Sequence, residues 1–150
     1  MAYQQGPAGS AHVNFSTGDN VSWLDGVQFQ GPTGYYDSCG CTGPTGPTMT
    51  PWQLTGTFNW DIRGARNWGP TGPSLSLTSQ GQPNSVIVVD DPVNLILHAN
   101  VTPAILLGAA NVGATGPGLV PGRYVHALRM TQAPNIYELL HGEFELTHGV

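Results

Sequence analysis

From Gln53 to Arg63 the chain alternates without a break. Leu54, Phe58, Trp60 and Ile62 fall on one side, with Gly56 in the same register, and Gln53, Thr55, Thr57, Asn59, Asp61 and Arg63 fall on the other. A period of two is the signature of a strand with one face buried and one face wet. The same period returns along the chain. Ser74–Thr78 repeats it, and Val93, Leu95 and Leu97 alternate with Asn94, Ile96 and His98. In Arg123–Met130, Tyr124, His126, Leu128 and Met130 share a face. In Tyr137–Leu146, Phe144 and Leu146 point in while Glu143 and Glu145 point out, and Ala133-Pro134-Asn135 closes a hairpin between these last two strands.

The remaining segments fit the same plan. Ala11–Phe15 and Asn20–Phe29 read as the first two strands, with Thr17-Gly18-Asp19 as their turn, Val21, Trp23, Val27 and Phe29 as apolar positions, and Asp25-Gly26 as a turn or bulge. Ser85–Val89 is a continuous β-branched run that suits a strand buried on both faces. One stretch reads as a short helix: Thr102 at the N-cap, Pro103 at the first helical position and Gly108 after the last apolar residue. The expectation is an all-β fold, an immunoglobulin-like antiparallel β-sandwich of about seven or eight strands with long Gly/Pro-rich loops and one short helix. A chain of 150 residues makes one such domain with a real core. The predicted division is an extended arm at 1–10 and one sandwich at 11–150, with loop insertions at 31–51, 69–73 and 108–118.

The insertions are turn chemistry. Gly-Pro-Thr-Gly occurs at 31–34, 43–46 and 69–72, and a variant occupies Ala114–Pro117. A collagen helix needs Gly at every third position, and Met49 breaks that period after Gly43 and Gly46. Each copy is better read as a tight turn, with Pro fixing φ and Gly supplying positive φ.

Charge narrows the function. Only 9% of residues are charged, there is no Lys, and the four basic residues are Arg63, Arg66, Arg123 and Arg129. A net charge of −5 opposes nucleic-acid binding, which needs a basic footprint. So sparse a charge is poor protection for a free monomer, and points to a surface covered by other subunits. No basic and apolar leader opens the sequence and no apolar run approaches the roughly 18 residues of a membrane span, so synthesis in a cytoplasm without a membrane partner is expected.

The order of these elements resembles that of small phage virion β-sandwich proteins of the tail and baseplate region, similar to the N-terminal domain of siphophage baseplate upper proteins. That pattern runs from a Gly-Asp strand start, through Asp-Leu-Thr-Gly-Tyr into a strand ending Ile-Arg. Two central strands, a short helix, Pro-Gly-x-Tyr-x-Tyr-x-Leu and a closing Leu-x-Gly-x-Phe-x-Val follow. Here Gly18-Asp19, Gln53-Leu-Thr-Gly56 with Ile62-Arg63, Pro121-Gly-Arg-Tyr124 with Leu128, and Leu140-His-Gly-Glu-Phe144 stand in that order over about two thirds of the chain. The Gly-Pro-Thr-Gly loops depart from it. The resemblance implies a structural subunit of a phage virion, in the tail, baseplate or tail-fibre attachment, with neck or capsid decoration as the alternative location. It implies assembly in the host cytoplasm, partners that are other virion proteins and copies of itself, and no catalytic residue, cofactor or metal.

Residue chemistry agrees. His12, His98, His126, His141 and His148 show no metal-ligand spacing, although His98 and His126 lie on strands that could meet across a sheet. Asp90-Asp91-Pro92 reads as a turn rather than a carboxylate pair, and Glu143 and Glu145 as outer-face residues rather than glycosidase groups. No serine sits in a nucleophile elbow and no Gly-rich loop continues into Lys-Ser/Thr. Cys39 and Cys41, separated by Gly40, are too close for an unstrained mutual disulfide and read as free thiols, with an intermolecular bond after release as the alternative. Trp23 and Trp60 fall on apolar faces and read as core. Tyr35, Tyr36, Trp52 and Trp68 flank loops and are the candidate partner contacts, because such aromatics anchor interfaces. The competing reading makes exposed aromatics a platform for host surface glycans, as in a carbohydrate-binding module.

Overall fold

The computed structural model describes residues 10–29, 53–64, 72–79 and 86–149. Its strands are β1 (Ala11–His12), β2 (Phe15–Gly18), β3 (Gly26–Gln28), β4 (Thr57–Gly64), β5 (Ser74–Thr78), β6 (Ile87–Asp91), β7 (Ile96–Ala99), β8 (Ala114–Gly118), β9 (Gly122–Gln132) and β10 (Asn135–Thr147), with α1 (Pro103–Leu106) between β7 and β8. They form two sheets. The larger runs β1-β10-β9-β4-β5-β8, with β2 continuing β1 along the same edge of β10, and the smaller runs β3-β7-β6. The fold is an all-β sandwich.

Its core is where the alternation puts it. Leu54, Phe58, Trp60 and Ile62 are buried, as are Tyr124, Leu128 and Met130 on β9 and Phe144 and Leu146 on β10. Trp23 and Trp60 meet edge to face with centroids 4.8 Å apart, Trp23 meets Phe144 at 4.9 Å, and Phe15 lies 5.6 Å from each tryptophan. Such edge-to-face contacts stabilise by about 0.5–1.5 kcal/mol each beyond burial. Gly56 is required by packing: a Cβ there would run into the Thr131 backbone and Met130.

The helix is capped as expected. The Ile105 N–H donates to the Thr102 hydroxyl at 3.4 Å, Pro103 opens the turn, and Gly108 ends it with φ +105°. Tyr124 starts β9 with its hydroxyl donating to the Val120 carbonyl and accepting from the Val120 N–H at 3.0 Å. A tyrosine that bonds back to the backbone a few residues upstream fixes the turn that leads into its own strand.

Several expectations need correction. Ten strands are described rather than seven or eight. The 11–29 stretch divides into three strands and Asn20 joins the turn, because Thr17 and Gly18 pair with β10 at Leu146 and Thr147. The sheets are antiparallel as expected except at one edge, where β1 and β2 run parallel to β10. Alternation reveals which face of a strand is buried, not its partner or direction. Val21 is 50% exposed, not core. The β-branched run at Val86–Val89 has one neighbour, β7, so only Val86 and Ile87 are buried and Val88 and Val89 are half-buried. Val93 is 63% exposed, because Asp91 accepts from the Val93 and Asn94 N–H groups and wraps this stretch into a turn. The expected loop at 108–118 contains β8, whose Ala-Thr-Gly-Pro-Gly composition reads as a turn but is drawn into pairing with β5. Gly116 and Gly118 take φ +109° and +91° within it. Gly118 approaches the backbone of Leu107 and Gly108 so closely that a Cβ has no room.

Candidate functional site

Tyr35, Tyr36, Trp52 and Trp68 lie outside the described residues, as do Cys39 and Cys41. The polar chemistry on the described part of the molecule falls in three places.

The first is inside the core. His126 is the one buried polar side chain among the described core residues, 2% exposed on the apolar face of β9. β4 and β9 pair Ile62 with His126, which sets the neighbouring Trp60 beside the ring. The Trp60 indole N–H donates to His126 Nδ1 at 3.1 Å, and the other ring nitrogen, Nε2, lies 2.6 Å from the Val13 carbonyl. Nδ1 must accept and Nε2 must donate, so the partners select the neutral Nε2–H tautomer. Burial pushes this imidazole below its usual value near 6.5, while the Val13 hydrogen bond pulls the other way and His141 and His12 lower it further. No buried polar side-chain atom among the described residues lacks a partner. His98 and His126 do not meet. His98 stands on β7 in the smaller sheet, with Nδ1 2.7 Å from an Asp90 carboxylate oxygen.

The second place is the seam where β1 and β2 lie on β10. His12 and His141 are paired residues, and their rings meet edge to face at 5.3 Å. His141 Nδ1 lies 2.7 Å from the Ser10 hydroxyl oxygen and 4.0 Å from a Glu138 carboxylate oxygen. Between the two short strands the chain bows: the Val13 N–H donates to the His141 carbonyl at 2.9 Å, and the Glu143 N–H donates to the Asn14 side chain at 2.9 Å. At the far end Asp19 accepts from the Gly149 N–H at 2.7 Å and lies 3.0 Å from His148, contacts that hold its carboxyl below the usual 3.8. Glu143 and Glu145 are on the outer face, as expected.

The third place is the outer face of the larger sheet. Thr57, Asn59, Asp61, Ser76, Thr131 and Arg129 surround an open depression of about 460 Å³, with Ile136 on its rim. Asp61 accepts from the Ser76 hydroxyl and from Arg129 Nη1 at 3.3 Å. Nearly every lining group is a hydroxyl, an amide or part of this single ion pair, so the surface offers donors and acceptors with little net charge.

The sequence placed His126 on the right face but could not anticipate its partner, because Trp60 lies 66 residues away and only the β4–β9 register brings the two together. The His12–His141 pair was equally hidden, because it depends on the parallel pairing of β1 with β10. Among the described residues no group of three or more His, Cys, Asp or Glu side chains converges as a metal site, and no helix is long and apolar enough to cross a membrane. No family model, curated protein or solved structure matches this chain.

Proposed function

We propose that this chain is a structural subunit of a phage virion, in the tail, baseplate or tail-fibre attachment, built into the particle by contacts with other virion proteins and with copies of itself. We read its sandwich as immunoglobulin-like. Support for that reading comes from a smaller sheet that joins β3, β7 and β6, a larger one that joins β10, β9, β4 and β5, a tyrosine at the corner before β9 and a buried tryptophan on β4. Two of the quoted motifs fall where the pattern has them, with Ile62-Arg63 at the end of β4 and Pro121–Tyr124 leading into β9, and Leu140–Phe144 lies within the closing strand β10, whereas Gly18-Asp19 ends a strand where the pattern starts one.

The observation that carries the assembly role is the character of the surface. Leu24, Leu107, Val112, Val120 and Ile136 are between 50% and 73% exposed on a chain whose residues are only 9% charged. A surface so poor in charge and dotted with large apolar side chains favours association over solitary diffusion. Neck or capsid decoration is the alternative location for the same role. Hydrogen exchange of the free chain and of purified particles tests it. Residues 1–10 and 31–51 gain protection in the particle if they are contact segments, and equal protection in the two states refutes the assembly role.

A second reading, binding of host surface glycans, is favoured by the outer-face depression. Its hydroxyls, Asn59 and the Asp61–Arg129 pair offer the mixed donors and acceptors that a neutral saccharide requires. Binding of a glycan panel that is lost on Asp61→Ala would establish this reading, and the absence of any saccharide binding would remove it.

A further inference from the structure

We propose that β1 and the Val13-Asn14 link that follows it form a proton-sensitive lid over His126, closed while that imidazole is neutral and opened when it takes up a proton. His126 uses both ring nitrogens in opposite senses, accepting from Trp60 at 3.1 Å and donating to Val13 at 2.6 Å. A proton on Nδ1 turns an N–H toward the Trp60 N–H. Two donors then face each other, so the charged ring loses the Trp60 bond and gains from contact with water.

The side of the ring that faces Val13 gives a route to water. Trp60, fully buried, and Phe15, whose ring centroid lies 5.1 Å from that of His126, close two sides of the imidazole. The Nε2 side is covered by the Val13 backbone, beside an open depression of about 590 Å³ whose lining includes His12, His141, Glu138 and His126 itself. The covering segment is lightly held. Among the described residues, β1 pairs with β10 at Ala11–Leu140 and His12–His141, the Ser10 hydroxyl oxygen lies 2.7 Å from His141 Nδ1, and Val13-Asn14 add two hydrogen bonds to β10. β4, β9 and β10 are bound to one another by long ladders. β1 and the Val13-Asn14 link are therefore the part that opens at least cost.

Other titratable groups face the same seam. His12 on β1 and His141 on β10 meet across it, and a proton on either opposes one on His126. Glu138 and Glu143 of β10 line the same depression. Arg129 of β9 also lines it, while bridging to Asp61 of β4 at 3.3 Å. The four-residue pairing of β2 with β10 and the Asp19–His148 contact at 3.0 Å hold β2 in place, which confines the opening to residues 10–14.

Amide hydrogen exchange of the full chain at about pH 7.5 and about pH 5, corrected for the intrinsic pH dependence, tests the lid. Peptides covering residues 10–14 should lose protection by up to about tenfold for each pH unit below the onset, as uptake of one proton requires. Peptides within β4 and β9 should keep theirs. His126→Gln cannot take up the proton, and its 10–14 segment should show the same protection at both pH values. Equal protection in the wild type at both pH values, or the same loss in the Gln variant, overturns the proposal. Should that variant not fold, the His126 ring-proton resonance of the wild type decides. A midpoint that coincides with the loss of protection supports the lid, and one displaced from it refutes the lid.

Discussion

Trp60→Ala is the most direct probe of the core. Trp60 is fully buried on β4, packs against Trp23 and Phe15, and donates the hydrogen bond to His126. An aromatic side chain of this class buries about 150–250 Å². At about 25 cal/mol/Å² this corresponds to roughly 4–6 kcal/mol. The Ala methyl keeps part of that, and an unfolded chain that already buries some apolar surface reduces it by roughly 10–40%. The truncation also strands the His126 Nδ1 acceptor, at about 1–3 kcal/mol. The expected loss is therefore about 3–5 kcal/mol, the range found for buried aromatics cut to Ala. Total stabilities run near 5–15 kcal/mol, so the variant would give up about a fifth or more of the fold's margin. Urea unfolding followed by far-UV circular dichroism reads the effect without relying on the deleted fluorophore. With a slope of about 1–3 kcal/mol/M, the midpoint should fall by about 1 M or more. Asn59→Ala, one residue away and exposed, is the control and should cost well under 1 kcal/mol. A loss under about 1 kcal/mol for Trp60→Ala would refute the assigned face of β4, because a slip of one residue exchanges inside for outside.

Tyr124→Phe removes the hydroxyl that bonds Val120, and because Val120 is 55% exposed and water can replace that bond, thermal unfolding should show a loss near 1 kcal/mol with the fold retained. Gly118→Ala meets φ +91° and a backbone wall at Leu107–Gly108, so it should cost about 1–3 kcal/mol by chemical denaturation and weaken β8 in hydrogen exchange. Arg129→Ala breaks a part-exposed ion pair and should cost less than about 1 kcal/mol in the same assay. Because His126 has a lowered pKa when folded, the unfolded chain binds its proton first. Stability is then full above about 6.5 and declines as pH falls from there toward the lowered value, a trend that denaturant midpoints across that window measure and that His126→Gln should flatten.

The sequence was most legible where a strand has one wet face. β4, β5, β9 and the end of β10 were placed to within a few residues, because solvent on one side enforces the period of two. It was least legible where pairing, not pattern, makes the strand. β8 is built of turn residues and exists because β5 offers an open ladder, and the parallel seating of β1 and β2 depends on an edge of β10 more than a hundred residues away. The polar features followed the same division. Asp91 at its turn and Thr102 at its helix were local and readable, whereas the His126–Trp60 bond and the His12–His141 contact arise from register between distant strands.

On the immunoglobulin-like reading proposed above, the position of His126 has a structural logic of its own. In sandwiches with a tyrosine at the corner, the residue two places further along the strand can be the cysteine of a disulfide between the sheets, packed against a buried tryptophan. Here the corner tyrosine is Tyr124, the residue two places on is His126, and it bonds Trp60, which in turn packs on Trp23 near the smaller sheet. A cross-link is thus exchanged for an aromatic stack and one directional hydrogen bond. The exchange gives up the roughly 2–4 kcal/mol that a disulfide supplies by restraining the unfolded chain. In return this part of the core forms without oxidation. It also places at the centre of the stack a group whose lowered pKa ties the stability of the core to pH, where a disulfide in the same position would tie it to reductants.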